Sequence, residues 1–209
     1  MTNPYRFRVT SVISAVLLLV LAGCASTEPS RYYTLGPLPE LATEEQTTSA
    51  RQSLAIGLGP IELPAYLDRP QIVTRTGANQ LKIAEFDRWA EPLEQNFARV
   101  LAENLSTLLS TDRVFTYPWK RSTPIRYKVT IDVIRFDGQP GGSVTLVARW
   151  TISGMDEQEE LSQRKSSISV PADGDDYNVL VSAKSRALAH LSSEIAATIE
   201  AVSQHQPDD

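Results

Sequence analysis

One cysteine, two histidines and scattered carboxylates are what this chain offers for chemistry. Cys24 stands alone, so no intrachain disulfide and no zinc site built on cysteines can form. His190 and His205 fall on one predicted C-terminal helix, with no second metal ligand beside either, and each reads as a solvated position. Carboxylates gather at Asp156, Glu157, Glu159 and Glu160, and again at Asp173, Asp175 and Asp176. General acid–base work needs carboxylates in a cleft with their pKa values pushed apart. Runs in turn-like segments are usually solvated. Gly141-Gly142 precedes a strand pattern and not a helix, so it is a loop device and no phosphate cradle. There is no P-loop, no GxGxxG and no GxSxG elbow. The residues therefore offer no enzyme, no cofactor site and no metal site.

Composition narrows the class further. The 209 residues carry 20 Lys+Arg against 25 Asp+Glu, a formal charge of −5, with 42% hydrophobic and 22% charged residues. That is a globular composition. Its acidic balance argues against nucleic acid as a partner, since such binding needs clustered Lys and Arg.

Cys24 does have a chemical context. Arg6 and Arg8 form a basic head, and Val9 to Leu21 is an apolar run too short for a comfortable membrane span. It has the length of a secretory signal core and ends in small residues. The end reads Leu21-Ala22-Gly23-Cys24, which resembles a bacterial lipobox. That resemblance implies a diacylglyceryl thioether on Cys24 and cleavage between Gly23 and Cys24. Acylation would leave the mature chain without a free thiol, as suits an oxidising compartment. A single acyl chain holds a protein only marginally, whereas the several carried by bacterial lipoproteins hold it stably. Ala25 favours outer-membrane delivery where the residue after the cysteine governs sorting. Residues 1–23 are then a signal peptide, 24–30 a lipidated tether, and 31–205 the folded domain. A fully extended chain from Ala25 to Ser30 spans about 20 Å, so the body sits close to the lipid surface.

The mature pattern predicts a single α/β domain: a mixed, largely antiparallel sheet with two main amphipathic helices packed on it. Tyr32 to Leu35 reads as a first strand, and Pro37 to Arg51 as a polar linker. Leu54, Ile56 and Leu58 alternate in a strand that should end at Pro60 or Pro64. Gln71–Arg75 and Gln80–Glu85 flank a Gly-containing turn. Trp89 to Ser110 predicts a helix with Pro92 in its first turn. Val114–Tyr117 is a short strand. Ile125 to Val133 alternates cleanly, with a bulge expected near Ile134 and Phe136. A turn from Asp137 to Ser143 leads to a second alternating strand, Val144 to Ile152, and Ser162–Val170 completes a meander. From about Asp175 a second helix follows, with Leu180, Ala187, Leu188, Leu191, Ile195, Ile199 and Val202 as its stripe.

Three segments together resemble a known family. They are Arg31-Tyr32-Tyr33-Thr34-Leu35, Leu63-Pro64-Ala65-Tyr66-Leu67-Asp68-Arg69-Pro70-Gln71-Ile72-Val73, and Phe86-Asp87-Arg88-Trp89-Ala90-Glu91-Pro92-Leu93. In this order, behind a lipobox and ahead of the helix Asn96–Leu109, they are similar to the ABC-type transport auxiliary lipoproteins. The resemblance covers essentially the whole mature chain. It implies a non-catalytic, lipid-anchored component on the periplasmic face of the outer membrane. There it would work beside an MCE-domain protein that carries lipid between membranes.

The motif residues admit two readings each. Trp89 is an interface anchor or a side chain packed against the sheet at the helix start. Arg69 and Arg88 bind a partner or lipid headgroups, or pair with acids inside the fold. Tyr32 and Tyr33 sit at the membrane interface or pack an edge strand. These five are the candidate interface residues. Homo-oligomerisation is left open. An assembly lipoprotein supporting an outer-membrane protein is the alternative function, and a leashed hydrolase the third, which lacks a nucleophile–base pair.

Overall fold

The computed structural model describes residues 28–38, 54–154 and 159–205. The signal segment, Cys24, most of the Pro37–Arg51 linker and the start of the acidic loop at Asp156 lie outside them. Arg31 to Asp209 form one compact unit, and Glu28 to Ser30 belong with the N-terminal stretch. No helix among the described residues is long and apolar enough to cross a membrane.

The elements in chain order are β1 Arg31–Tyr33, β2 Ile56–Glu62, a 3-10 turn Ala65–Leu67, β3 Gln71–Arg75, β4 Leu81–Trp89, α1 Leu93–Leu109, β5 Val114–Thr116, β6 Tyr127–Gly138, β7 Ser143–Ser153, β8 Glu160–Pro171 and α2 Tyr177–His205. The α/β class with two amphipathic helices stands, with the strands divided between two sheets. One has the order β1-β4-β3 and the other β5-β2-β6-β7-β8. In the first, β1 runs parallel to β4 and β3 antiparallel to it. In the second, β2 runs parallel to both neighbours, and β6-β7-β8 is the expected antiparallel meander.

Side-chain alternation explains the meander. Val129, Ile131 and Val133 of β6 are buried, whereas Lys128, Thr130 and Asp132 are not. The β6–β7 register shifts between Val133 and Arg135, which is the anticipated bulge. The shift does more than break phase. It carries β6 on to Gly138 and buries Phe136 and Asp137, so the turn begins later than Asp137.

One proline expectation is resolved and one needs correction. Of the two ends expected for β2, the strand stops at Glu62, short of Pro64, having passed through Pro60. The missing N–H is accommodated because the β2–β6 register slips between Leu58 and Ile61. Gly59 precedes it at φ 122°, where a Cβ would stand 2.7 Å from that of Tyr117. The first helix does not begin at Trp89. Trp89 N–H donates to Pro70 O at 2.7 Å and completes β4, and α1 starts after Pro92. Proline suits a helix entry, where its N–H would have no partner.

Both helices cover one face of the five-stranded sheet. α1 packs on β2 and β5, α2 packs on β6, β7 and β8, and the helices pack on each other. Phe97 of α1 meets Phe136 of β6 edge-on, centroids 5.5 Å apart. Ser110 closes α1 in the left-handed conformation, φ 51° and ψ 48°. Asp176 caps α2 by accepting from Val179 N–H at 2.8 Å.

Candidate docking site

The three-stranded sheet brings the three motif segments together. Parallel pairing sets Arg31 opposite Asp87, Tyr32 opposite Arg88 and Tyr33 opposite Trp89. Because strand side chains alternate, these pairs sort by parity. Arg31, Tyr33, Asp87 and Trp89 share the inner face. Arg31 forks onto Asp87, its Nε 2.8 Å from Oδ1 and its Nη2 3.1 Å from Oδ2. The Tyr33 hydroxyl donates to the same Oδ1 at 2.8 Å. Burial and this bond to a carboxylate push the Tyr33 phenol up to about 12. Tyr33 is thus a clasp and not an exposed aromatic.

The opposite parity faces outward. Tyr32 is 65% exposed. Arg88 lies between it and Gln71, its register partner on β3. Arg88 is half-buried and its Nε has no hydrogen-bond partner; the same holds for Arg69. Neither guanidinium forms an ion pair with an acid among the described residues.

Trp89 is buried at the centre of this region. Its ring lies 5.9 Å from Nζ of Lys184, which also sits 4.2 Å from the centroid of Phe136. Lys184 Nζ donates to Phe136 O at 2.6 Å and is 1% exposed. Burial drives its pKa down to about 7, against an opposing pull from Asp137. Trp89 therefore acts as the floor of a site and not as a protruding anchor.

Above that floor is a cleft of about 390 Å³. Asp68 to Pro70 form one wall and Trp89 to Leu93 the other. The second and third motif segments end on the same cavity. Glu91 on its rim pairs with Arg99 at 2.7 Å, and Arg99 also reaches Glu103 at 3.1 Å. A larger groove of about 830 Å³ runs along α1 past Ala98, Ala102 and Tyr117, but no residue of the second or third segment lines it.

Deeper contacts hold the cleft in shape. Tyr66 donates to Asp137 Oδ2 at 2.7 Å. Arg75 and Arg135 bind the same carboxylate at 2.8 and 2.7 Å. Burial works to raise the Asp137 pKa, but hydrogen bonds from Arg75, Tyr66 and Arg135 outweigh it and hold the group below its ordinary range. The Tyr66 phenol is pushed up to about 12 by burial and by Asp137. The arm after β1 is strapped to both helices. Leu35 N–H donates to Asn96 Oδ1 and Leu38 N–H to Asn104 Oδ1, each at 2.7 Å, and Gly36 N–H reaches Ser185 Oγ at 3.1 Å.

Sequence reasoning missed Asp137, Lys184, Asn96 and Asn104. The signal for the last three was available: a polar residue inside an apolar helical stripe needs a buried partner. His190 and His205 are exposed, as are Asp173, Asp175 and Asp176. No cluster of metal-ligating side chains occurs among the described residues.

Comparison with known proteins places the chain in a family. The model of the family described as ABC-type transport auxiliary lipoprotein component matches residues 33–196. The chain is 27% identical over 184 residues to the intermembrane transport lipoprotein PqiC of Escherichia coli (strain K12), covering 88% of this chain and 92% of that one. The Shigella flexneri protein of the same name matches equally. Among solved structures, an uncharacterised protein superposes with a TM-score of 0.66 at 23% identity, over 82% of this chain and 99% of its own. A Xanthomonas campestris protein gives 0.65 at 17% identity, over 84% and 98%. These two show the fold alone.

Proposed function

We propose that this chain, which belongs to the ABC-type transport auxiliary lipoprotein family, docks an MCE-domain protein of an intermembrane lipid transport system at the outer membrane. Family membership supports the coarser statement directly: a lipoprotein component of a transport system, named for an auxiliary role and not for catalysis. The finer reading rests on one observation. The two most specific motif segments end on one cleft, floored by Trp89 and walled by Pro70 and Pro92, with Arg69 at its edge and Arg88 beside it on the outer face.

The working of such a site follows from its parts. Acylation at Cys24, after cleavage behind Gly23, fixes the chain to the periplasmic face of the outer membrane. The rigid walls offer apolar contact at little entropic cost, since Pro70 and Pro92 have few conformations to lose. Arg69 and Arg88 bring guanidinium donors without ion pairs among the described residues, suited to partner carboxylates. Tyr32, exposed beside Arg88, adds aromatic area. No bond is made or broken, so the chain works by holding the end of the transport assembly in place.

Site-specific photo-crosslinking in intact cells tests this. A crosslinker in place of Asp68 should capture an MCE-domain protein, and one in place of exposed Lys165 on β8 should not. Capture of an outer-membrane β-barrel from the Asp68 position would replace this reading with the assembly role.

A further inference from the structure

The direction of β1 sets which end of the three-stranded sheet the chain enters from. Because β1 is parallel to β4, its N-terminal end points toward the start of β4, where the turn between β3 and β4 is made. From Cys24 to Arg31 an extended chain reaches at most about 25 Å. From Asp87 back to Leu81 along β4 is about 20 Å at the strand rise. An anchor at Cys24 would therefore have tether enough to let the hairpin tip meet the same lipid surface.

That tip is where the sheet exposes apolar side chains. Leu81 is 37% and Ile83 49% exposed, on one face of β4, with exposed Lys82 between them. From Gln71 to Ile83 the hairpin carries Arg75 and Lys82 and no acid. Arg75 is turned onto Asp137, and Lys82 carries the exposed ammonium of the tip. The first carboxylate, Glu85, stands further from the turn. Apolar side chains flanked by a cation are the composition of an interfacial contact.

We propose that the β3–β4 hairpin tip is a second membrane contact, with Leu81 and Ile83 entering the headgroup–acyl boundary and Lys82 meeting lipid phosphate. The docking cleft at the other end of β4 is then turned toward the periplasm, away from the bilayer. Two contacts, one covalent and one through the hairpin, fix the tilt of the body where a lone flexible tether would not.

The contact rests on acylation of Cys24, and one sample separates the two. The full acylated chain with Ile83→Cys is placed in vesicles of phosphatidylethanolamine and phosphatidylglycerol. Cys24 is the chain's one cysteine, so its thioether leaves the new thiol unique for an environment-sensitive label. Quenching by aqueous iodide should fall by about threefold relative to a label at Asp68→Cys, and brominated lipid chains should quench the Ile83 label alone. Leu81→Cys should behave as Ile83→Cys does. A label quenched by iodide as freely as that at Asp68 overturns the proposal. So does a label shielded from iodide but untouched by brominated lipid, which would mean a protein neighbour. An intact mass without acyl chains overturns anchor and hairpin contact together, whereas an acylated chain with a wet label overturns the hairpin contact alone.

Discussion

Tyr66 donates its hydroxyl hydrogen to Asp137 Oδ2 at 2.7 Å, joining residues far apart in sequence. The bond fastens the loop that carries Arg69 to the five-stranded sheet. The tyrosine of the second motif segment is thus a structural tie, and the arginine after it is held where a partner can meet it.

Asp137→Asn should be among the most destabilising conservative changes. It leaves Arg75 and Arg135 facing a neutral amide and should cost about 3 kcal/mol, whereas Tyr66→Phe should cost about 1 kcal/mol. Urea unfolding of both variants reads the difference. The pH dependence has a definite sign. The folded Asp137 pKa is depressed, so its stabilisation is present above the ordinary value of 3.8 and is lost as pH falls through the folded value.

Lys184 gives the opposite kind of dependence. Its folded pKa, about 7, lies below the unfolded value of 10.5, so the unfolded chain holds more protons between them. Stability should rise with pH across that window. Lys184→Met, close in volume and without the charge, should flatten the rise and add about 2 kcal/mol at pH 7. Above pH 10 the raised phenols of Tyr33 and Tyr66 work the other way, their contribution lost as pH rises through about 12. Thermal denaturation from pH 6 to 10, wild type against variant, is the check.

Asp87→Ala should free the arm. Arg31 and Tyr33 lose their common acceptor, and amides from Arg31 to Leu35 should exchange hydrogen faster while those of β6 and β7 hold. Asn96→Ala should release Leu35 N–H and extend that exchange without touching Arg31. Hydrogen exchange by mass spectrometry resolves the two.

Arg69→Glu and Arg88→Glu should weaken capture of the transport partner by about tenfold each while leaving the melting temperature within a few degrees. Trp89→Ala should lower the melting temperature itself, at a cost of about 3 kcal/mol or more, because it removes a buried floor. A charge reversal that unfolds the protein would mark the arginine as a structural element.

Where one face of an element meets the core, the sequence was readable. The alternation from Tyr127 to Val133 and from Val144 to Ile152, the Gly-containing turn at Gly77 and the stripe from Leu93 to Leu109 follow from burial on one side. What depends on distant partners was not. Nothing local distinguishes Asp137 from a turn aspartate, since its partners Tyr66 and Arg75 come from another part of the chain. Trp89 and Pro92 read as one helix because the strand hydrogen bond to Pro70 is invisible along the chain. The candidate site was half legible. Tyr32 and Tyr33 are adjacent and alike in sequence, and only the β1–β4 register tells the outward one from the clasped one. For Arg69 and Arg88 the structure adds their half-burial and an Nε without a partner, and for Trp89 its burial, none of which is visible along the chain.

The parallel pairing of β1 with β4 also decides how the molecule bears force. Under the proposed function, tension between a lipid anchor at Cys24 and a partner held at the cleft would pull β1 along its own axis. Its hydrogen bonds to β4 and the Arg31–Asp87 clasp are then loaded together in shear, and cannot be unzipped one at a time. A three-residue strand is a weak structural element but, loaded in that direction, a stiff mooring.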